Sequence, residues 1–406
     1  MNRRGWRRLC GSSWSGSMGE FSTLESVCAE FVDCVNRTAP ESYGGEYYAV
    51  GTPAMRGNVI NLTEARRLSA ETFERWTRRL RPIEGDLLIA REAPVGPVVR
   101  IPAGDCYAAG QRTTHLRADS AAIDPRYLYY LLISPNVQAR LLAQAMGSTV
   151  PHLRVADLRT FELPVLPEMS QQSAIAEVLG ALDDKIVANE RIVVGLDDLV
   201  RARYQSLGGY DEMTVGDIAT NIRVQVQPST VTSDVDYVGL EHLPRRRMWA
   251  STRGTADDVM SAKSGFAPGD VLFGKLRPYF HKVVHVGRGG ICSTDILVVR
   301  ANEPSLGGFA LAACASDETV KACTASVEGT RMPRTRWSDL AAVAIRWPGL
   351  LEAREFSAWV SEQSMLAHAL YEECAHLART RDELLPLLMS GKLRVKDAEA
   401  VAAEVL

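Results

Sequence analysis

The 406-residue sequence predicts an α+β protein of two tandem, β-rich globular modules, each followed by one long helix. Three observations carry this: matching segments a fixed distance apart, an apolar seam at helical spacing, and short β-type runs punctuated by Gly, Pro and Asp. A chain of this length also exceeds one ordinary core and suits several structural units.

The duplication is read from two matches. Gly85-Asp86-Leu87-Leu88-Ile89-Ala90-Arg91, followed by Pro94, returns 184 residues later as Gly269-Asp270-Val271-Leu272-Phe273-Gly274-Lys275, followed by Pro278. Gly147-Ser148-Thr149-Val150-Pro151, with Arg154, Asp157 and Leu158, returns 182 residues later as Gly329-Thr330-Arg331-Met332-Pro333, with Arg336, Asp339 and Leu340. Two separate matches at nearly one offset mark a repeated domain, and the period is far too long for a solenoid.

In chain order, residues 1–18 form a loose basic leader. Arg3, Arg4, Arg7 and Arg8 are followed by Gly, Ser and Trp where a signal peptide would carry its apolar region, and Met18 is a candidate true start. The first module is expected at 19–167 and its helix at 168–208. There Ile175, Leu179, Leu182, Ile186, Asn189, Val193, Leu196 and Val200 step by four and three residues in alternation, the spacing of a coiled-coil seam. Ser170 is the expected cap and Gly208-Gly209 the stop, and roughly 38 helical residues reach about 57 Å. Asn189 has two readings, a tolerated polar residue or one that fixes register, and the regular seam favours register.

The second module is expected at 211–347, with strands in the runs Gly269 to Phe273, Tyr279 to Val286 and Ile296 to Val299. Its helix, expected at 350–391, keeps the spacing through Phe356, Val360, Gln363, Ala367, Leu370, Cys374, Leu377, Arg381, Leu384 and Leu388. Pro386 should kink or end it, and Ser390-Gly391 supplies a stop. Residues 392–406 are left as a C-terminal tail.

Composition excludes several classes. With 46% hydrophobic and 23% charged residues and no run of eighteen apolar residues, the chain reads as a globular protein rather than a membrane one. Its 8 cysteines are scattered without a C-x-x-C pair, which spells neither a zinc site nor a disulfide framework and fits a reducing cytoplasm. A net charge of −3 is uninformative about nucleic acid, because steering depends on where charges lie.

Catalytic motifs fail on inspection. Gly269-x-x-x-x-Gly274-Lys275 approaches a phosphate loop, but Leu276 stands where a hydroxyl should hold Mg²⁺, and Pro278 denies the required helix. A nuclease would need an acidic residue where Phe273 stands, and the D-P-P-Y or N-P-P-Y loop of an adenine methyltransferase is missing. His281 and His285, four apart, would face one way only on a helix, whereas Lys282-Val283-Val284 argues for a strand. They are expected at the surface or facing DNA. No catalytic residue and no metal site is expected.

What remains is basic and aromatic. Arg91 and Lys275, His152 and Arg334, and Arg154 and Arg336 recur at equivalent places, joined in the second half by Arg277, Tyr279, Lys282 and Arg331. Such side chains suit phosphate oxygens and guanine edges. Any one of them alone reads equally as a solvated surface charge, and their recurrence is what points to binding.

The stretch from Leu163-Pro164-Val165-Leu166-Pro167 through Gln171-Gln172-Ser173-Ala174-Ile175-Ala176 to Leu182-Asp183-Asp184-Lys185-Ile186 closely resembles the central conserved region of type I restriction-modification specificity subunits. Arg381-Asp382-Glu383-Leu384-Leu385-Pro386-Leu387-Leu388-Met389-Ser390-Gly391 resembles the distal conserved helix of the same family. Gly85 to Gly96, with Gly110-Gln111-Arg112, resembles its first variable domain and adds Arg112 to the candidate contacts.

The resemblance implies two target-recognition domains in opposite orientations, held apart by an antiparallel pair of helices, each domain reading half of a split double-stranded DNA target. It implies two modification (methyltransferase) subunits using S-adenosylmethionine, and restriction subunits using ATP and Mg²⁺, with no cofactor in this chain. Two rival readings are a single-chain restriction enzyme, exposed by metal-dependent cleavage, and a non-DNA coiled-coil adaptor, exposed by the lack of salt-dependent DNA binding.

Overall fold

The computed structural model describes residues 22–147, 151–209, 213–227, 232, 235–251, 253–256, 261–327 and 332–406, so the expected leader lies outside the described residues. The chain forms two compact units: Met1–Lys185 with His376–Leu406, and Ile186–Ala375.

The first unit is organised by an antiparallel sheet in the order Cys28–Asp33, Thr113–Ala118, Leu87–Arg91, Val95–Arg100. Leu87 to Ala90 are all buried, so this apolar run is a central strand sealed on both faces. A smaller sheet pairs Tyr47–Val50 with Arg66–Leu68 and Tyr107–Ala109. Asp124 caps the helix Pro125–Ile133 by accepting the backbone N–H groups of Arg126 and Tyr127, and Pro at the first helical position is preorganised for the turn. A second helix, Pro135–Gln144, follows directly.

The second unit repeats the plan. Its antiparallel sheet runs Ala219–Ile222, Ile296–Ala301, Val271–Gly274, Val283–His285. Two helices again follow, Gly307–Cys314 and Asp317–Ala325. A mixed five-stranded sheet is added, with Val224–Val226 beside Lys263–Phe266.

The repeated Gly-Asp pair explains itself here. Gly85 and Gly269 take φ of 88° and 90°, a left-handed turn that glycine enters without Cβ strain. The following aspartate closes the turn: Asp86 accepts the Ile83 N–H at 3.0 Å and Asp270 the Ala267 N–H at 2.7 Å.

The long helices run Met169–Ser206 and Leu350–Met389. They are antiparallel: within the second unit Cys374 Sγ meets the Ile186 carbonyl, while Tyr204 packs on Phe356 with ring centroids 6.1 Å apart. Ile175, Leu179, Leu182, Asn189, Val193, Val200, Leu377 and Leu384 are buried. Ile186, Leu196 and Leu370 are only partly so.

Four local expectations need correction. Ser170 sits inside the first long helix, because the Glu168 carbonyl takes the first N–H groups, from Gln171 and Gln172, and the Gln172 amide locks onto the Pro167 carbonyl at 2.8 Å. Pro386 does not end the second helix, which continues to Met389; that close to the terminus a proline forfeits one backbone hydrogen bond. The stretch Tyr279 to Val286 opens as a short 3₁₀ turn, Pro278–Phe280, and becomes a strand only at Val283. The expected tail contains a helix, Val395–Ala403, that buries Ala398 and Ala402.

Candidate nucleic-acid interface

In both units the chain entering a short helix returns to the end of the central strand. Leu153 donates its N–H to the Arg91 carbonyl at 2.8 Å, and Thr335 donates to the Lys275 carbonyl at 3.0 Å. This juxtaposition brings His152 and Arg154 beside Arg91, and Arg334 and Arg336 beside Lys275.

In the first unit most of the charge is already used. Arg91 donates to Asp33 at 2.6 Å and to the Leu153 carbonyl at 3.2 Å. Arg112, at a φ of 68°, pairs with Glu92 at 3.3 Å, and Arg154 grips Asp157 through two bonds of 2.7 and 2.8 Å. His152 is exposed, its backbone exchanging both hydrogen bonds with Met146.

The second unit holds a cleft of about 710 Å³ lined by Arg223, Lys263, Lys275, Arg334, Thr335 and Arg336, among others. Lys275 donates to the Thr294 carbonyl at 2.6 Å, and burial pulls its ammonium below the ordinary lysine range. Arg334 is bound to Asp295, and Asp339 accepts the backbone N–H of Arg336 at 2.8 Å. Thr335 is fully buried, and its hydroxyl has no hydrogen-bond partner among the described residues. Five cations around one opening suit a polyanion.

Other candidates lie elsewhere. Arg277 and Tyr279 stand exposed on the 3₁₀ turn, Tyr279 at 52%. Lys282 is half-buried with its ammonium on the Leu240 carbonyl at 2.5 Å. Arg331 lies outside the described residues. The histidine pair expected at the surface is instead internal. His281 is 3% exposed and bonds the Ala315 carbonyl, while His285 meets His368 at 3.0 Å from the second long helix. Arg223 and Lys263 escape sequence reasoning, since neither falls in a repeated motif and only strand pairing brings their segments together.

Residues 44–194 match the family described as Type I restriction modification DNA specificity domain. This stretch is similar to a type I DNA specificity domain. Beyond residue 194 the second unit falls outside the match, and its likeness to the first rests on the shared strand order and the repeated Gly-Asp turn. The chain is 23% identical over 276 residues to the type I restriction enzyme EcoDI specificity subunit of Escherichia coli, covering 57% of this chain and 61% of that subunit. A putative type I specificity subunit of Mycoplasma genitalium is 34% identical over 68 residues, covering 17% of each chain. Among solved structures, the type I restriction-modification S subunit from M. genitalium is similar at 15% identity and a TM-score of 0.49, covering 88% of this chain and 93% of that one.

Proposed function

We propose that this chain is a sequence-specific DNA-binding subunit that selects the target for partner enzymes and performs no chemistry itself. The observation that carries the reading is the cation-lined cleft at the strand end that the repeat duplicates. Each unit reads one half of a split target. The paired helices serve as docking elements for two modification subunits carrying S-adenosylmethionine, with restriction subunits using ATP and Mg²⁺ joining the complex. The relatives are specificity subunits by name, which supports this division of labour. Among the described residues no group of His, Cys, Asp and Glu is arranged to hold a metal, and no helix is long and apolar enough to cross a membrane.

The test is a salt titration of duplex binding by the purified full chain. Binding should weaken steeply as salt rises, by about 0.9 in log–log slope for each phosphate contact. Replacing both Arg223 and Lys263 by Ala should lower that slope by nearly two such steps. Binding indifferent to salt would favour the adaptor reading, and metal-dependent cleavage by the chain alone would favour the enzyme.

A further inference from the structure

Within the proposed DNA-binding reading, the basic residues of the second unit divide by what their charges already do. Lys275, Arg334 and Lys282 are committed to Thr294, Asp295 and Leu240. Among the described residues the Arg277 guanidinium makes no hydrogen bond or ion pair; it only leans over the Phe280 ring, 5.8 Å from its centroid.

Arg277 is also held in an uncommon backbone state. It and His281 both take a φ of 53°, flanking the turn Pro278–Phe280. A side-chain-bearing residue keeps a left-handed conformation only where its surroundings over-determine it, and such residues gather at functional sites. Here the anchors are explicit. Arg277 N–H donates to the Pro333 carbonyl at 2.9 Å, Pro278 is buried, and His281 fixes the far end on Ala315 at 2.9 Å. Phe280 lies under Arg245, 4.1 Å from its centroid. The turn is therefore rigid, yet it presents Arg277 and Tyr279 outward.

The first unit supplies the comparison. Ala93, 184 residues earlier and also before a proline, takes a φ of 50°. Only the positive φ recurs: Ala93 precedes a cis proline that leads into the strand Val95–Arg100, whereas Arg277 opens the 3₁₀ turn Pro278–Phe280.

We infer that the Arg277-Pro278-Tyr279 turn is the base-reading element of the second unit, with Arg277 recognising a guanine through its O6 and N7 edge and Tyr279 packing beside it. The guanidinium fork matches those two acceptors, and the rigid turn spares the entropy of ordering it. The cleft cations then hold the phosphates that set the register.

The experiment selects binders from a randomised duplex library with the full chain and measures each base preference and the salt slope. Arg277→Ala tests the side chain. Arg277→Gly accepts the left-handed backbone, so a folding defect in the alanine variant is separated from loss of reading. Both should lower preference at one G·C position, in one half of the target, by about 5- to 150-fold, with the salt slope and the other half unchanged. If the wild-type chain selects a split motif and the Gly variant keeps every preference, Arg277 is not the reader. A uniform loss of affinity with a slope reduced by about one would assign it to a phosphate and overturn the inference. If the wild-type chain selects no motif, the DNA-binding reading falls and this inference falls with it.

Discussion

Arg300 clamps Asp270 with two parallel hydrogen bonds, Nε to Oδ1 at 2.6 Å and Nη2 to Oδ2 at 2.8 Å. Arg117 does the same to Asp86 in the first unit, at 2.9 and 2.8 Å. Each clamp ties the Gly-Asp turn to the neighbouring strand, and the two differ in their surroundings. Asp86 also meets His115 at 2.7 Å, both side chains being 2% exposed, whereas the Arg300 side chain is 45% exposed.

That difference gives unequal costs of removal. Asp86→Ala strands a buried histidine and a turn N–H and should destabilise the first unit by about 3–5 kcal/mol. Asp270→Ala also strands a turn N–H, that of Ala267, but strands no buried histidine and lets Arg300 rehydrate, and should cost about 1–3 kcal/mol in the second. Hydrogen exchange of the two sheets measures both, and equal losses would refute the ranking.

These clamps also mark the limit of what sequence reveals. The offset of the Gly-Asp motif foretells two related modules, and the four-three spacing of Ile175 to Val200 foretells the first long helix. Arg117 and Arg300 stay hidden because they lie on strands brought beside the motif by long-range pairing. The same holds for Arg223 and Lys263 at the cleft. His281 and Lys282 mislead for the opposite reason: their polarity suggests the surface, while backbone carbonyls inside the fold satisfy them.

Arg381, a charged residue in the seam of the second long helix, donates to Asp183 at 2.6 Å, and Asp183 accepts the Tyr130 hydroxyl at 2.6 Å. Arg381→Met should cost about 3 kcal/mol by leaving that carboxylate half-paired. Replacing Asp183 by Leu and Tyr130 by Phe in the same chain should recover most of the loss. Urea unfolding monitored in the first unit checks this, and additive losses across the three substitutions would contradict it.

The internal histidines should make the second unit acid-sensitive. Burial, assisted by Arg201 and Arg246 and opposed by the Ala315 carbonyl and Asp317, pulls His281 down to about 4. Burial and the neighbouring His368, opposed by Asp270, pull His285 down to about 4. His368 is lowered by burial against Glu372. The folded state therefore favours neutral rings, and the unfolded chain binds the protons. Their contribution is complete above about pH 6.5 and lost as pH falls from there toward 4. Thermal melts of the second unit should drop across that window, and His285→Leu should flatten the fall. A melt independent of pH there would count against the buried placement.

The central claim, that this chain chooses the sequence on which partner enzymes act, is tested most directly by mapping methylated bases across the host genome with and without its gene. The account predicts that methylation at one split motif disappears on deletion and returns with the intact gene, while all other methylated motifs are untouched. An unchanged methylation map after deletion would contradict it.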